Sequence, residues 1–186
     1  MTARADTDDN LARWRTRASE LNALARAFGV ARPEQLAGLT GLQVIEGMLR
    51  GALPSPPIAQ TLDFVLVEAA YGRAEFQGRP QLAHYNPLGS VHGGWFATLL
   101  DSAVGCAVHT TLPLGKGYTT LELKLNFIKA LNERVPLVRA IGRVIHVGAR
   151  TATAEGRLVG ADGTLFAHAT TTCLVFDAPS TRGAPS

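Results

Sequence analysis

An asparagine, a histidine, two glycines and one aspartate stand close together in NPLGSVHGGWFATLLDSAVGCA, residues 86–107. His92, Gly93 and Gly94 come at the start of an apolar segment that predicts a helix over residues 92–111. The first N–H groups of a helix have no partner within it and lie at the positive end of the helix dipole. Such a helix start suits an anion, or an oxygen that becomes an anion during acyl transfer. Asn86 precedes it and can bring an amide donor to the same place.

Asp101 lies in the middle of this apolar helix, where an unpaired carboxylate is costly. One interpretation is structural, with the carboxylate capping a loop or pairing with an arginine. Nine positions separate Asp101 from His92, which places them roughly 13 Å apart on opposite sides of one helix. One helix therefore cannot easily direct both at one substrate, whereas two helices related by a two-fold axis can. This geometry favours a site shared between two subunits.

Before residue 55 the pattern is helical. Apolar residues recur at helical spacing over residues 8–28, and Thr40 with Gln43 fits a capping box for a second helix. We expect this extension to pack on its own subunit or on a neighbouring one, and regard a DNA-binding helix pair as the less favoured alternative. The predicted divisions are an N-terminal extension over 1–54, a main domain over 55–177 and a disordered tail over 178–186.

After residue 60 the pattern is that of strands. Two strands are predicted to turn near Tyr71, and four more follow the helix. In TTLELKLNF, residues 119–127, strict alternation puts Leu121 and Leu123 on one face and Thr120 on the other. Three consecutive hairpins after the helix predict an antiparallel sheet, which must cover an apolar element. The fold expected is α+β, with a curved antiparallel sheet wrapped around one long central helix.

Composition narrows the classes of function. The net charge is +3 and basic residues are scattered apart from ARWRTR near the start, which fits a small anionic partner as readily as nucleic acid and favours a solvated face over either. The two cysteines are expected to be buried, reduced thiols. The five histidines lack metal-ligand spacing, so neither a metal nor a separate cofactor is predicted. The polar N-terminus and the lack of a long apolar run predict a cytoplasmic protein with no membrane partner.

The segment NPLGSVHGGWFATLLDSAVGCA, followed by GYTTLELKLNFIKAL, resembles the PaaI-like hotdog-fold acyl-CoA thioesterases, a family of phenylacetate degradation related to 4-hydroxybenzoyl-CoA thioesterase. The resemblance covers roughly residues 55–176. It implies a hotdog fold, a homodimer joined edge to edge and often paired into a tetramer, and hydrolysis of an acyl-CoA thioester. Apolar pocket candidates such as Ile58, Trp95 and Phe96 predict an aromatic or medium-chain acyl group. Coenzyme A would be part of the substrate.

The resemblance also implies roles for individual residues. Gly93 would supply the oxyanion N–H, with His92 and Asn86 positioning the thioester and the helix start. Asp101 would be nucleophile or general base, and Thr120 would hold the attacking water. Arg150 and Gly94 would contact coenzyme A. Two alternatives stay open: a hotdog dehydratase, and a non-catalytic acyl-CoA-binding module.

Overall fold

The structure, a computed structural model, describes residues 2–24 and 27–178, with side chains from residue 6 onward. The predicted disordered tail lies outside these residues except for its first position. The helices are α1 (Thr2–Ala23), α2 (Pro33–Leu36), α3 (Gly41–Leu49), α4 (Pro57–Thr61) and α5 (Gly93–His109). The strands are β1 (Phe64–Ala70), β2 (Arg73–Gly78), β3 (Lys116–Phe127), β4 (Val138–Val147), β5 (Thr151–Gly160) and β6 (Leu165–Asp177). Two strands, one helix and four strands therefore follow one another after residue 60, which confirms the predicted order.

The six strands form one antiparallel sheet in the order β1-β2-β4-β5-β6-β3. The prediction of three consecutive hairpins after α5 was wrong at its first step. β3 pairs with β6 at the far edge of the sheet, and β4 pairs with β2. Only β4-β5-β6 is a run of hairpins, because β3 leaves α5 on the side of the sheet opposite to β1. This crossing lets the sheet enclose α5 from both sides.

The core lies between the inner face of the sheet and α5. Leu99, Leu100 and Val104 of α5 are fully buried. Gly142 of β4 allows a close approach, since a Cβ atom there would lie 2.2 Å from the carbonyl oxygen of Ala103. The helix backbone therefore rests directly on the centre of the sheet. This is the α+β hotdog architecture predicted from the sequence, a curved antiparallel sheet around a central helix.

The helix α1 crosses the outer face of the sheet. The Arg139 guanidinium lies 4.6 Å from the centroid of the Trp14 ring, and the Gln77 side chain donates a hydrogen bond to the Trp14 carbonyl. Beneath α1, the buried carboxylate of Glu75 pairs with Arg73 and Arg139. Burying a charge is costly unless it is paired in this way. The extension therefore packs on its own subunit.

The predicted helix over residues 8–28 was wrong at both ends, because α1 begins at Thr2 and ends at Ala23. Phe28 instead forms an isolated parallel bridge with Ser55. The second helix is confirmed as α3. Its capping box is complete, since Gln43 N–H donates to the Thr40 hydroxyl and Thr40 N–H donates to the Gln43 side chain. α3 packs against β1 and α5 and buries Ile45 completely.

No helix among the described residues is long and apolar enough to cross a membrane.

Candidate active site

The loop before α5 is held by the side chain of Asn86. Its Oδ1 accepts hydrogen bonds from the N–H groups of Leu88 (2.9 Å) and Ser90 (3.3 Å). Its Nδ2 donates to the Ser90 hydroxyl at 3.1 Å. An asparagine side chain that bonds backbone groups a few residues ahead is typical of a tight turn. Asn86 therefore fixes the loop that delivers the chain to the start of α5.

The start of α5 offers one free backbone donor. His92 is the N-cap, and its Nδ1 accepts the N–H of Gly94 at 2.8 Å. The N–H of Gly93 has no acceptor among the residues that the structure describes. Because it stands at the positive end of the helix dipole, this N–H is suited to a developing oxyanion. Gly94, predicted to contact coenzyme A, already uses its N–H within the cap.

A side chain at position 93 would meet an aromatic ring. A Cβ atom there would lie 2.8 Å from Phe127, the last residue of β3. Phe127 in turn packs edge-on against Phe96, with ring centroids 5.5 Å apart. These residues, with Asn86, line a cleft of about 370 Å³. The N–H of Gly93 is thus placed at an open, partly apolar cleft.

Asp101 lies further along α5 and is half-buried. The Thr120 hydroxyl of β3 donates a hydrogen bond to its Oδ1 at 3.1 Å. No arginine or lysine pairs with this carboxylate among the described residues, so the structural interpretation by an ion pair finds no support. The structure thus brings Asp101 and Thr120, two predicted site residues from different elements, into direct contact.

The predicted face of Thr120 was wrong. A β-bulge at Leu121 shifts the register between Thr120 and Glu122. The extra residue turns Thr120 toward α5, on the same side as Leu123, which packs against the core. Leu121 is left 60% exposed. Strict alternation cannot reveal a bulge, although the bulge is what places the hydroxyl beside Asp101.

Two thiols lie near Asp101. Burial, and after it the charge of Asp101, raises the pKa of Cys106 to about 12. Burial likewise raises the pKa of Cys173, which pairs across the sheet with Thr120. Protonated thiols are poor nucleophiles, which leaves the Asp101 carboxylate as the candidate base or nucleophile in this cluster. Both cysteines are free; Cys173 is buried as predicted, whereas Cys106 is only partly buried.

The predicted residues fall into two groups at opposite ends of β3. The Gly93 group, with Asn86 and His92, lies at the Phe127 end. Thr120, which holds Asp101, precedes Phe127 by roughly 20 Å of strand. Arg150 belongs to the second group, because its carbonyl accepts the N–H of Val175, and Val175 pairs with Tyr118 of β3. Arg150 is exposed there. Within one chain, the two groups are well separated.

Sequence reasoning missed His84. Its carbonyl accepts the N–H of His92 at 2.7 Å, and its ring stacks on Trp95 with centroids 5.1 Å apart. Burial lowers the pKa of His84, whose Nδ1 has no hydrogen-bond partner in the described part of the chain. A lone histidine in a loop carries no sequence signal of this supporting role. No group of three or more potential metal ligands occurs among the described residues.

The two edges of the sheet differ. The β1 edge is covered by α3, and Arg17 donates a hydrogen bond to the Val67 carbonyl at the bulge of β1. The β3 edge carries exposed apolar residues, including Leu121, Phe127 and Ile128. An open edge of this kind is a template for pairing with another strand. Both groups of site residues contact β3.

An antiparallel sheet wrapped around one central helix defines the hotdog fold class. The model of the thioesterase superfamily matches residues 88–167. A phenylacetic acid degradation-related protein from Ralstonia eutropha JMP134 is 33% identical, with a TM-score of 0.64, over 70% of this chain and 98% of that one. A mutant of the phenylacetic acid degradation protein PaaI from Thermus thermophilus is 27% identical, with a TM-score of 0.57, over 63% and 97% of the two chains.

A thioesterase from Haemophilus influenzae shares the fold at 16% identity, with a TM-score of 0.62 over 78% of this chain and 96% of that one. No curated protein sequence matches significantly. The chain belongs to the PaaI-like hotdog thioesterases of the thioesterase superfamily, and it is a thioester hydrolase.

Proposed function

We propose that the protein hydrolyses an aromatic or medium-chain acyl-CoA to the free acid and coenzyme A. The observation that carries this proposal is the half-buried Asp101 carboxylate, held by the Thr120 hydroxyl of β3. A thioester is already activated toward acyl transfer. A polarised carbonyl and a carboxylate that attacks it, or that deprotonates water, are therefore sufficient for hydrolysis.

The separation of the two groups along β3 supports an active site built from two chains. If the exposed β3 edges of two subunits pair antiparallel across a two-fold axis, the Phe127 end of one β3 lies beside the Thr120 end of the other. Gly93 of one subunit then faces Asp101 and Arg150 of its partner copy. The same pairing would cover Leu121 and Phe127. We also propose that the protein is a homodimer, that two dimers pair into a tetramer, and that it is located in the cytoplasm.

In this arrangement the thioester carbonyl oxygen accepts the Gly93 N–H. Asp101 either attacks the carbonyl carbon or takes a proton from a water that does so. Thr120 donates a hydrogen bond to Asp101, and its oxygen can still accept one from that water. Collapse of the tetrahedral intermediate breaks the carbon–sulfur bond and releases coenzyme A as thiolate, which then takes up a proton. Where Asp101 is the nucleophile, the acyl group stays on its carboxylate as an anhydride, which water hydrolyses to the free acid and the carboxylate. Arg150 would contact the phosphates of coenzyme A.

The test compares the native protein with Asp101→Asn on a panel of acyl-CoA substrates, following the release of free thiol. We expect kcat to fall roughly a hundredfold to ten-thousandfold with little change in KM, because the amide is neither base nor nucleophile. Asp177→Asn is the matched control, since Asp177 is an exposed carboxylate paired only with Lys116 among the described residues. Near-native turnover by Asp101→Asn would make Asp101 a structural residue. Tight binding of acyl-CoA by the native protein without hydrolysis would favour the binding module.

A further inference from the structure

A second cavity lies between the N-terminal helices and the first two strands. Its volume is about 560 Å³, within the range of about 300–1,000 Å³ that is typical of small-molecule sites. Its walls come from several elements, including Ala18 of α1, Met48 of α3, Ala59 of α4 and Cys106 of α5. It shares no lining residue with the cleft at Gly93. The cavity is therefore a separate space, and the extension forms a large part of it.

The inner end of the cavity reaches α5, the helix that carries Asp101. Cys106, which lines it, follows Asp101 by five positions, or about 7.5 Å along the axis of α5. Both residues are partly exposed, and the five positions between them turn their side chains about 140° apart around the helix. The charge of Asp101 contributes to the raised pKa of Cys106, as expected for groups close in space. A chain whose activated end lies at Asp101 therefore reaches this cavity by passing a little over a third of the way around α5.

The lining of the cavity is apolar toward the core and polar toward solvent. Toward the core, Phe64 and Phe76 contribute to its wall and pack edge-to-face, with centroids 5.8 Å apart. Toward solvent, it is bordered by the exposed polar side chains of Asn22, Gln60 and Asp63. An apolar interior between a reactive carboxylate and a polar rim suits an apolar chain with its activated end at Asp101.

We infer that this cavity binds the acyl chain of the substrate, and that the chain is a medium-length aliphatic one. The inference rests on the proposed function and narrows its substrate class. A flexible chain can follow a space that runs from α5 past β1 to the lining residues of α1 and α4, whereas an aromatic ring would fill only its inner end. Ala18 and Met48 then set the length of chain that fits.

The test fills the cavity from α1. In Ala18→Phe the new ring occupies the outer part of the cavity, and Ala12→Phe makes the same exchange on the same helix at an exposed position. The two variants share the small cost of phenylalanine in a helix. Hydrolysis is measured with acetyl-, hexanoyl-, decanoyl- and phenylacetyl-CoA, and binding of free decanoate is measured by calorimetry.

For Ala18→Phe we expect kcat/KM with decanoyl-CoA to fall about tenfold, while that with acetyl-CoA stays unchanged. Decanoate binding should weaken by a similar factor. Met48→Ala, which lengthens the space, should shift the preference toward longer chains, and Ala12→Phe should behave as the native protein. Equal losses on acetyl- and decanoyl-CoA, or no loss on either, would overturn the assignment and leave the proposed function standing.

Calorimetry separates the two proposals. If the native protein hydrolyses no acyl-CoA but binds decanoate, and Ala18→Phe removes that binding, the cavity assignment holds and the proposed function fails. If the native protein hydrolyses acyl-CoA but does not bind decanoate, and chain length has no effect on kcat/KM, the cavity assignment fails alone.

Discussion

The Thr120 hydroxyl donates a hydrogen bond to Asp101 at 3.1 Å, and this bond joins the central helix to the exposed edge strand of the sheet. It exists because the bulge at Leu121 turns Thr120 toward the helix. The candidate catalytic carboxylate is therefore positioned by the strand that we expect to form the subunit interface.

Removing this hydrogen bond should slow the reaction. Thr120→Val keeps the shape of the side chain and deletes the hydroxyl, whereas Thr120→Ser keeps the hydroxyl. A hydrogen bond to a charged group contributes about 1.5–3 kcal/mol, so we expect kcat to fall about ten- to hundredfold in Thr120→Val. Thr120→Ser should retain most turnover. Steady-state kinetics checks this, and equal rates for the two variants would show that the hydroxyl has no part in the reaction.

The role of the Gly93 N–H can be separated from the space around it. Both Gly93→Ala and Gly93→Pro add a Cβ atom facing Phe127, but only proline removes the N–H. Proline suits the first position of a helix, and His92 already has the extended backbone, φ −64° and ψ 138°, that proline requires of its predecessor. We expect kcat of Gly93→Pro to be about a hundredfold to a thousandfold below that of Gly93→Ala, with similar thermal stability. Matching kcat values would exclude the N–H as an oxyanion donor.

The stability of the fold should decrease in mild acid. Burial lowers the pKa of His109, whose ring lies 5.4 Å from that of Tyr118. Below a pH of about 6.5, this histidine is protonated more fully in the unfolded chain than in the folded chain. The free energy of unfolding therefore falls as the pH drops through this range. One such histidine contributes a slope of at most about 1.4 kcal/mol per pH unit. Urea unfolding between neutral and mildly acid pH measures it, and His109→Phe should flatten the slope. An unchanged slope in that variant would assign the acid sensitivity to other groups.

Much of the fold could be predicted from the sequence, since helical spacing, strand patterns and turn residues are local signals. The capping box of α3 and the hairpins among β4, β5 and β6 follow from such signals. The position of β3 beside β6 could not be predicted, because strand pairing is decided by tertiary packing. The same is true of the end of α1, where the pairing of Phe28 with Ser55 replaces helical turns.

The candidate site, too, could be predicted from the sequence only in part. The glycines at the start of α5 and the lone aspartate within it indicated a site, because each breaks the apolar pattern around it. The orientation of Thr120 and the support of the helix start by His84 depend on a bulge and on a loop contact that leave no pattern in the sequence.

The most direct test of the account is complementation between two inactive variants, since it asks whether each site uses two chains. Asp101→Ala lacks the carboxylate, and Gly93→Pro lacks the proposed oxyanion donor. In a mixed dimer, one site pairs the intact helix start of the first chain with the intact Asp101 of the second, and the other site carries both defects. Refolding an equal mixture makes about half of the dimers mixed by random pairing, so about a quarter of native activity should return. Differently tagged chains, purified through both tags, show that mixed dimers have formed. If purified mixed dimers are as inactive as their parents, the two-chain site is contradicted.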